Sequence, residues 1–311
     1  MRWATYTSRT GDERVGVVAD GRIYALDTKE TLLTLLAGGA EQLQEAGRSA
    51  RRNPVEEVAW DDAQVRAPLV PPSMRDSMCF HEHIRNCRLQ GDVDIDERHS
   101  RYPAFYFSNP AAVIGPYDSV PISPGCEMFD FELETAAVIG KPGSNIAVGS
   151  ARDHIIGYTI YCDWSARDLQ MDEMQLGLGP AKGKDSATTL GPVLVTADEL
   201  EPYRSDKGFA LAMTADVNGE EVTRSSWSTI DWSFDDVVAY TSRGTTLRTG
   251  DVLGSGTVGR GCLFEHSRIA PDTFRGWLQV GDEVVLEVEQ IGQLRQRVLP
   301  AQPVHPLSSG H

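Results

Sequence analysis

No run of the roughly 18 consecutive apolar residues that a bilayer-spanning helix needs occurs in the 311-residue chain, so no membrane partner is expected. Basic residues are scarce: 29 Lys and Arg stand against 45 Asp and Glu, a formal charge of −16. Neutralising phosphates takes a basic face, and this balance argues against a nucleic-acid partner. It also sets an anionic substrate against the general field unless a local positive centre, such as a bound cation, receives it. Cysteines are few, odd in number and scattered, at Cys79, Cys87, Cys126, Cys162 and Cys262. That pattern fits reduced thiols better than a disulfide framework. The opening MRWATYTSRTGDERVG lacks a basic segment followed by an apolar one, so no secretory signal is expected and the expected location is cytoplasmic. Internal repeats and low-complexity segments are absent as well.

What remains is the composition of an ordinary globular protein, 41% hydrophobic and 24% charged. The length allows one large domain, or one large and one small. Residues 2–27 read as short alternating strands joined by Gly-Asp and Asp-Gly turns. Residues 29–49 carry a helical pattern interrupted at Gly38-Gly39, and APLVPPS at 67–73 reads as a linker. The expected division is a small β-rich N-terminal domain, 1–70, and a larger domain, 71–311. In the latter, strands are predicted at 104–108, 129–139, 155–162, 192–196, 209–217, 251–257 and 283–290. Helices are predicted at 74–90, 164–174 and 234–242. The fold class is mostly β with some α, lacking the βα alternation of a doubly wound sheet. The acidic stretch 92–97 reads as a solvated or mobile loop, a candidate lid.

The segment Phe129-Asp130-Phe131-Glu132-Leu133-Glu134 alternates apolar and acidic with period two, so Asp130, Glu132 and Glu134 share one face. A solvated acidic face is one reading. The other is a cation site, because the strand continues into the buried-type run Thr-Ala-Ala-Val-Ile-Gly. Carboxylates about 7 Å apart beside such a run repel unless a cation lies between them. All-oxygen ligation favours Mg²⁺, Mn²⁺ or Ca²⁺ over zinc. A third carboxylate, Asp163, ends the apolar strand HIIGYTIYC and opens a helix, where an N-cap role is the alternative.

Three motifs together carry a family resemblance: the E-x-E strand, the run DWSARDLQ about thirty residues later, and a G-S-G-T turn at 254–257. The chain resembles the fumarylacetoacetate hydrolase family over most of residues 70–290, and its N-terminal segment resembles that family's small leading domain. The resemblance implies a mixed β-roll catalytic domain, usually dimeric. It implies a divalent metal, Mg²⁺ first and Mn²⁺ or Ca²⁺ as alternatives, on Glu132, Glu134 and Asp163. The family spacing of an aspartate ligand seven residues before a catalytic histidine is met by Asp76 and His83, with His81 as the alternative histidine. A base of this kind needs an orienting carboxylate. Short family members carry a glutamate three residues after this histidine, where Asn86 stands here. The water-activating branch draws it from a later segment, where this chain offers Glu265. By the same resemblance Arg167, Gln170 and Thr257 face the substrate, and Lys184, with Lys182 as a nearby competitor, polarises a carbonyl. A structural ion pair is the alternative for Arg167.

Gly254-Ser-Gly256-Thr-Val-Gly259 also matches a dinucleotide-binding fingerprint in letters. The residues after it do not form a long helix and no βαβ unit surrounds them, so that reading fails. Two departures bear on substrate: where the hydrolase that names the family has substrate-contacting tyrosines, this chain has Met78 and Met174. Thioethers favour apolar contact over carboxylate recognition, so fumarylacetoacetate itself is not the expected substrate. Tyr106 and Asn109 are open between ligand contact and shaping the strand and turn. The expected activity is metal-dependent hydrolysis of a carbon–carbon bond in a 1,3-dicarbonyl compound, with His83 and Glu265 activating water. The alternatives are a decarboxylase, isomerase or tautomerase of a β-keto or enol acid, or a non-catalytic binding protein. The expected partners are a small dicarbonyl or keto acid and a second copy of the chain.

Overall fold

The computed structural model describes residues 1–27, 29–88 and 95–308. Its main sheet is built from β1 (Arg2–Thr7), β2 (Glu13–Ala19), β3 (Arg22–Ala25), β4 (Glu57–Ala59), β5 (Met74–Ser77), β6 (Phe105–Ser108), β7 (Leu133–Ile139), β8 (Ile155–Asp163) and β9 (Thr188–Thr196). Two β-rich segments form the second sheet: β10 (Ala212–Val217) and β11 (Glu220–Ser226), then, after β12 (Val252–Gly254) has joined the main sheet, β13 (Glu283–Val288) and β14 (Gly292–Leu299). The main sheet runs β4-β3-β2-β1-β9-β8-β7-β12-β5-β6, and the second runs β11-β10-β13-β14 and ends on Val120–Pro121. The N-terminal strands extend the main sheet through the antiparallel pairs Arg2↔Val195 and Trp3↔Leu194. The chain is thus mixed α/β with more strand than helix, as its alternating segments predict.

Period-two alternation divides the core. From β7 and β8, Leu133, Ala137, Ile139, Tyr158, Ile160 and Cys162 pack toward the second sheet with Met213, Leu286 and Val288. Ala136, Val138 and Tyr161 pack on the other face with Met74, Trp3 and the helices α1 (Leu32–Leu36) and α2 (Gly39–Arg52). α2 buries Leu43, Gly47 and Ala50, spaced four and three apart as one helical stripe requires. Gly47 allows that stripe to lie close, since a Cβ there would come within 2.5 Å of the Met1 sulfur and 3.2 Å of the Trp3 ring.

Several predicted boundaries move. The helix predicted over 74–90 is two elements, β5 and α3 (His81–Arg88). Met74–Ser77 is buried throughout and held parallel to β12 and antiparallel to β6, so sheet pairing overrides its weak helical pattern. The continuous strand at 129–139 breaks at Phe131-Glu132: Phe129–Asp130 pairs with Ser165–Ala166, and only Leu133 onward pairs with β8. That same pairing delays the helix expected from 164, which begins as α4 (Arg167–Glu173). The helix at 234–242 is α5 (Phe234–Thr241), opened by a capping box between Ser233 and Asp236. The strand expected at 251–257 ends at Gly254, and α6 (Leu263–Ile269) follows. Residues 92–94 of the acidic stretch lie outside the described residues; Asp96 caps the short turn Glu97–Ser100 through the Arg98 amide at 2.9 Å.

Candidate metal centre and its histidine

Strand parity assembles the carboxylates. Asp76 is two residues from Met74, Glu134 two from Ala136, and Asp163 two from Tyr161, so each continues an apolar row of the same sheet face. Glu132 joins them from the break between the two strand pairings. One oxygen from each of Asp76, Glu132, Glu134 and Asp163 lies within 4.8 Å of the others, and all four residues are buried. The solvated-face reading of the acidic strand is therefore overturned, because Asp130, Glu132 and Glu134 are all inside.

Gly254 makes room for the cluster: a Cβ there would lie 2.4 Å from Asp76 Oδ1 and 3.3 Å from Glu134 Oε2. Two residues on, the Gly256 amide donates to Asp76 Oδ1 at 3.0 Å and to Glu134 Oε2 at 3.1 Å. Gly256 has φ +75°, and a Cβ there would fall 2.1 Å from the Ser77 carbonyl oxygen. The glycines of the turn thus serve the carboxylates, and the Gly256 amide is committed to them. Thr257, buried beside it, lines the adjoining cavity.

Cations close the cluster from one side. Lys184 Nζ donates to Asp163 Oδ2 at 2.8 Å and also to Glu132. Lys182, its competitor, is outside, paired with Asp185 at 2.5 Å. Arg167 bridges Glu132 Oε1 and Asp130 Oδ2, each at 2.8 Å, and donates to Gln170 Oε1 at 3.2 Å. The structural ion pair held open for Arg167 is thus present, although its side chain also reaches the cavity wall. Tyr106 donates its hydroxyl to Asp163 and lines the cavity, whereas Asn109 shapes its turn, bonding Asp185 at 2.7 Å and capping the Ala111 amide.

The charges follow these contacts. Burial would raise Glu132, but Lys184 and Arg167 outweigh it and hold this carboxyl well below its usual range. Burial works against the Lys184 ammonium too, yet Asp163 and Glu132 keep it above an ordinary lysine. Burial, reinforced by the Asp163 charge, pushes Asp76 up to about 7. Glu134 is raised by burial and then by Asp76. Glu134 Oε1 and Asp163 Oδ1 are buried oxygens with no hydrogen-bond partner. Four converging carboxylates, two with an unmatched oxygen and three (Asp76, Glu134 and Asp163) raised chiefly by burial, suit a hard divalent cation.

Beside this cluster stands His83, on the first turn of α3, its side chain 16% exposed. Its Nδ1 lies 2.9 Å from Oε2 of the fully buried Glu265. The other Glu265 oxygen accepts from Asn86 Nδ2 at 2.9 Å and from the Arg260 amide at 2.7 Å. Asn86, at the position where short family members carry a glutamate, here holds the glutamate supplied by α6. Burial works against a charged imidazole, but the Glu265 carboxylate and hydrogen bonding with Cys262 raise His83 well above its ordinary value. His81 turns away, its ring 3.5 Å from Asp231 and its amide donating to the same carboxylate.

His83, Asp76, Glu132, Lys184, Arg167 and Gln170 all meet one cavity of about 420 Å³. Met78 and Met174 line it with Phe80, Phe105, Met171 and Phe264, so the two thioethers lie on an apolar wall. Sequence reasoning saw Asp130 on the acidic face without giving it work. It anchors Arg167 and accepts the Leu263 and Phe264 amides at 2.8 and 3.0 Å, tying the Glu265 helix to the cluster. Asn86 and Cys262 were likewise given no site role.

A buried tetracarboxylate face beside a histidine–glutamate dyad, at the end of a mostly β core, defines a small-molecule site of the metal-binding type. Residues 73–299 match the model of the fumarylacetoacetate (FAA) hydrolase C-terminal domain. The chain belongs to the fumarylacetoacetate hydrolase family. Oxaloacetate tautomerase YisK of Bacillus subtilis is 30% identical to it over 295 residues, covering 90% of each chain. The mitochondrial oxaloacetate tautomerase FAHD2B of Homo sapiens is 30% identical over 275 residues, 87% of this chain and 80% of that one. The maleylpyruvate hydrolase of Sphingobium sp. SYK-6, solved with manganese(II) ion and pyruvate, superposes with a TM-score of 0.72 over 97% of this chain and all of that one. At 22% identity that last likeness is one of fold.

Proposed function

We propose that this chain is a metal-dependent tautomerase of a small β-keto acid of the oxaloacetate class. The observation that carries this reading is the placement of His83, a base oriented by buried Glu265, on the same cavity as the four-carboxylate cluster. Two relatives spanning most of the chain, both oxaloacetate tautomerases, support the choice of reaction. Asp76, Glu132, Glu134 and Asp163 would hold the cation, with Mg²⁺ or Mn²⁺ as the ions that suit all-oxygen ligation. When bound, such an ion supplies positive charge for the oxygens of a 2-oxo acid.

The chain's own groups account for the proton transfer. His83 takes the proton from the carbon between the two carbonyl groups, and Glu265 stabilises the imidazolium that forms. Lys184 places its ammonium beside the substrate oxygen on which charge develops, and the proton returns there to complete the enol. Arg167, fixed by Asp130, holds Gln170 toward the substrate's carboxylate. Met78 and Met174 shield the carbanionic centre from water. The C–H bond breaks, an O–H bond forms, and the C=O π bond becomes the C=C of the enol; no carbon–carbon σ bond is broken.

Hydrolysis of a carbon–carbon bond is the second reading. It is favoured by Glu265 occupying the place from which water-activating relatives draw their carboxylate. A homodimer and a cytoplasmic location complete the proposal; light scattering on the purified protein reads the first directly. The reaction is tested by following the ultraviolet absorbance of enol-oxaloacetate as it decays. Metal-loaded protein should accelerate the decay, and His83→Ala should lose about 10²- to 10⁴-fold of that rate with metal affinity retained. A variant that keeps its rate, or loses the metal instead, would sink the assignment.

A further inference from the structure

A second set of donors lies around His83, distinct in its members from the carboxylate cluster. Cys87 and Cys262 flank its ring, and His83, Cys87 and Cys262 offer atoms that all lie within 4.8 Å of one another. Cys87 Sγ is 3.8 Å from His83 Nδ1 and 3.6 Å from its Nε2, and Cys262 Sγ is 4.0 Å from Nδ1, the nitrogen that Glu265 also faces. Glu265 Oε2, 2.9 Å from the same nitrogen, is 3.4 Å from Cys262 Sγ. In a tetrahedral zinc site with metal–sulfur distances of about 2.3 Å and metal–nitrogen distances of about 2.0 Å, donors stand roughly 3.5–3.8 Å apart. The sulfur-to-ring spacings here already match that to within a few tenths of an ångström.

We propose that His83 Nδ1, Cys87 Sγ and Cys262 Sγ, with Glu265 Oε2 as fourth donor, form a second cation site, selective for a thiophilic divalent ion such as Zn²⁺, whose occupancy switches the enzyme off. Two thiolates and an imidazole are soft donors, unlike the all-oxygen set nearby, so the two sites sort cations by chemistry. The ion takes the place of the proton between Nδ1 and Oε2, and the two thiol protons leave to solvent. An imidazole metallated at Nδ1 carries its remaining proton on Nε2 and has no lone pair left to accept one from substrate. Access is through the cavity, since both His83 and Cys87 line it. The switching half rests on His83 as the base; the binding half stands without it.

Reduced protein, first saturated with Mg²⁺, is titrated with Co²⁺ as a spectroscopic stand-in for Zn²⁺. The expected result is one equivalent bound with thiolate-to-cobalt charge-transfer absorption and the strong visible bands of tetrahedral Co²⁺, displaced by Zn²⁺. Cys87→Ser and Cys262→Ser should each abolish the charge-transfer band of the wild type's strength, while Cys126→Ser, outside the site, should keep it. Cys87 is only half-buried, so its variant reports even if the Cys262 variant does not fold. Weak octahedral bands alone, or a full band surviving in Cys87→Ser, would overturn the site. In the activity arm, Zn²⁺ should lower the wild-type rate at least tenfold and Cys87→Ser should resist relative to its own zinc-free rate. A band that forms with no loss of rate overturns the switch and points to failure of His83 as the base, leaving the cation site intact.

Discussion

At the residue scale, the chemistry turns on how one imidazole is held. Glu265 lies under His83 with no solvent exposure, and Asn86 and the Arg260 amide fill its other oxygen, so it has little freedom to leave. Burial works against ionising Glu265, but His83 and these donors outweigh it and keep the carboxyl below its usual range. The same pairing raises His83, which therefore keeps its proton to higher pH than a free imidazole. A base works only when unprotonated, so the rate should climb with pH through that raised value. Glu265→Gln removes the charge that raises it: the climbing limb should move to lower pH while the maximal rate falls roughly tenfold or more. Paired pH–rate profiles read both effects, and a limb that stays in place would show that Glu265 does not tune His83.

At the scale of elements, the site depends on four strands, β5, β7, β8 and β12, whose termini meet there. Gly254 on β12 faces Asp76 and Glu134 across less space than a methyl group needs. Gly254→Ala should displace those carboxylates and weaken Mn²⁺ binding about 10- to 100-fold, the size expected for a change just outside the ligands. Calorimetric titration measures it, and unchanged affinity would mean that the cluster is not the cation site. What could be read in advance follows from the same geometry. Period-two alternation places Glu132 and Glu134 on one face but leaves a solvated face open, and Asp163 alone reads as readily as an N-cap. It is the resemblance of the E-x-E and DWSARD runs to the family that draws the three together. The role of Asp130 was not legible, since its partners on α6 lie more than 130 residues along the chain. Tyr106 meets Asp163 only because of sheet order, at a separation of 57 residues. The helix predicted over 74–90 failed only in its first part, and for the matching reason: nothing local announces that Met74–Ser77 will be flanked by β12 and β6.

At the scale of the whole molecule, buried negative charge couples cation binding to stability. Asp76 sits at about 7, above the ordinary carboxylate value, because burial and the Asp163 charge disfavour its ionised form. A carboxyl raised on folding stabilises the protein at low pH, and that contribution is lost as pH rises through the folded value. Metal-stripped protein should therefore melt at lower temperature at pH 8 than at pH 6. Saturating Mg²⁺ or Mn²⁺ should remove that decline, adding about 2.7 kcal/mol at a hundredfold excess over Kd. Scanning calorimetry across that range checks it, and a metal-free melting temperature that rises with pH would contradict it.

The most direct test asks which bond changes. Metal-loaded protein is given enol-oxaloacetate and, separately, an acylpyruvate in ¹⁸O-water, with absorbance and product masses followed together. Fast loss of the enol absorbance, dependent on His83, with the carbon skeleton intact and no labelled carboxylate from cleavage, is the expected result. Cleavage of the acylpyruvate into two acids, one carrying ¹⁸O in its new carboxylate, with the enol decaying at its uncatalysed rate, would contradict it.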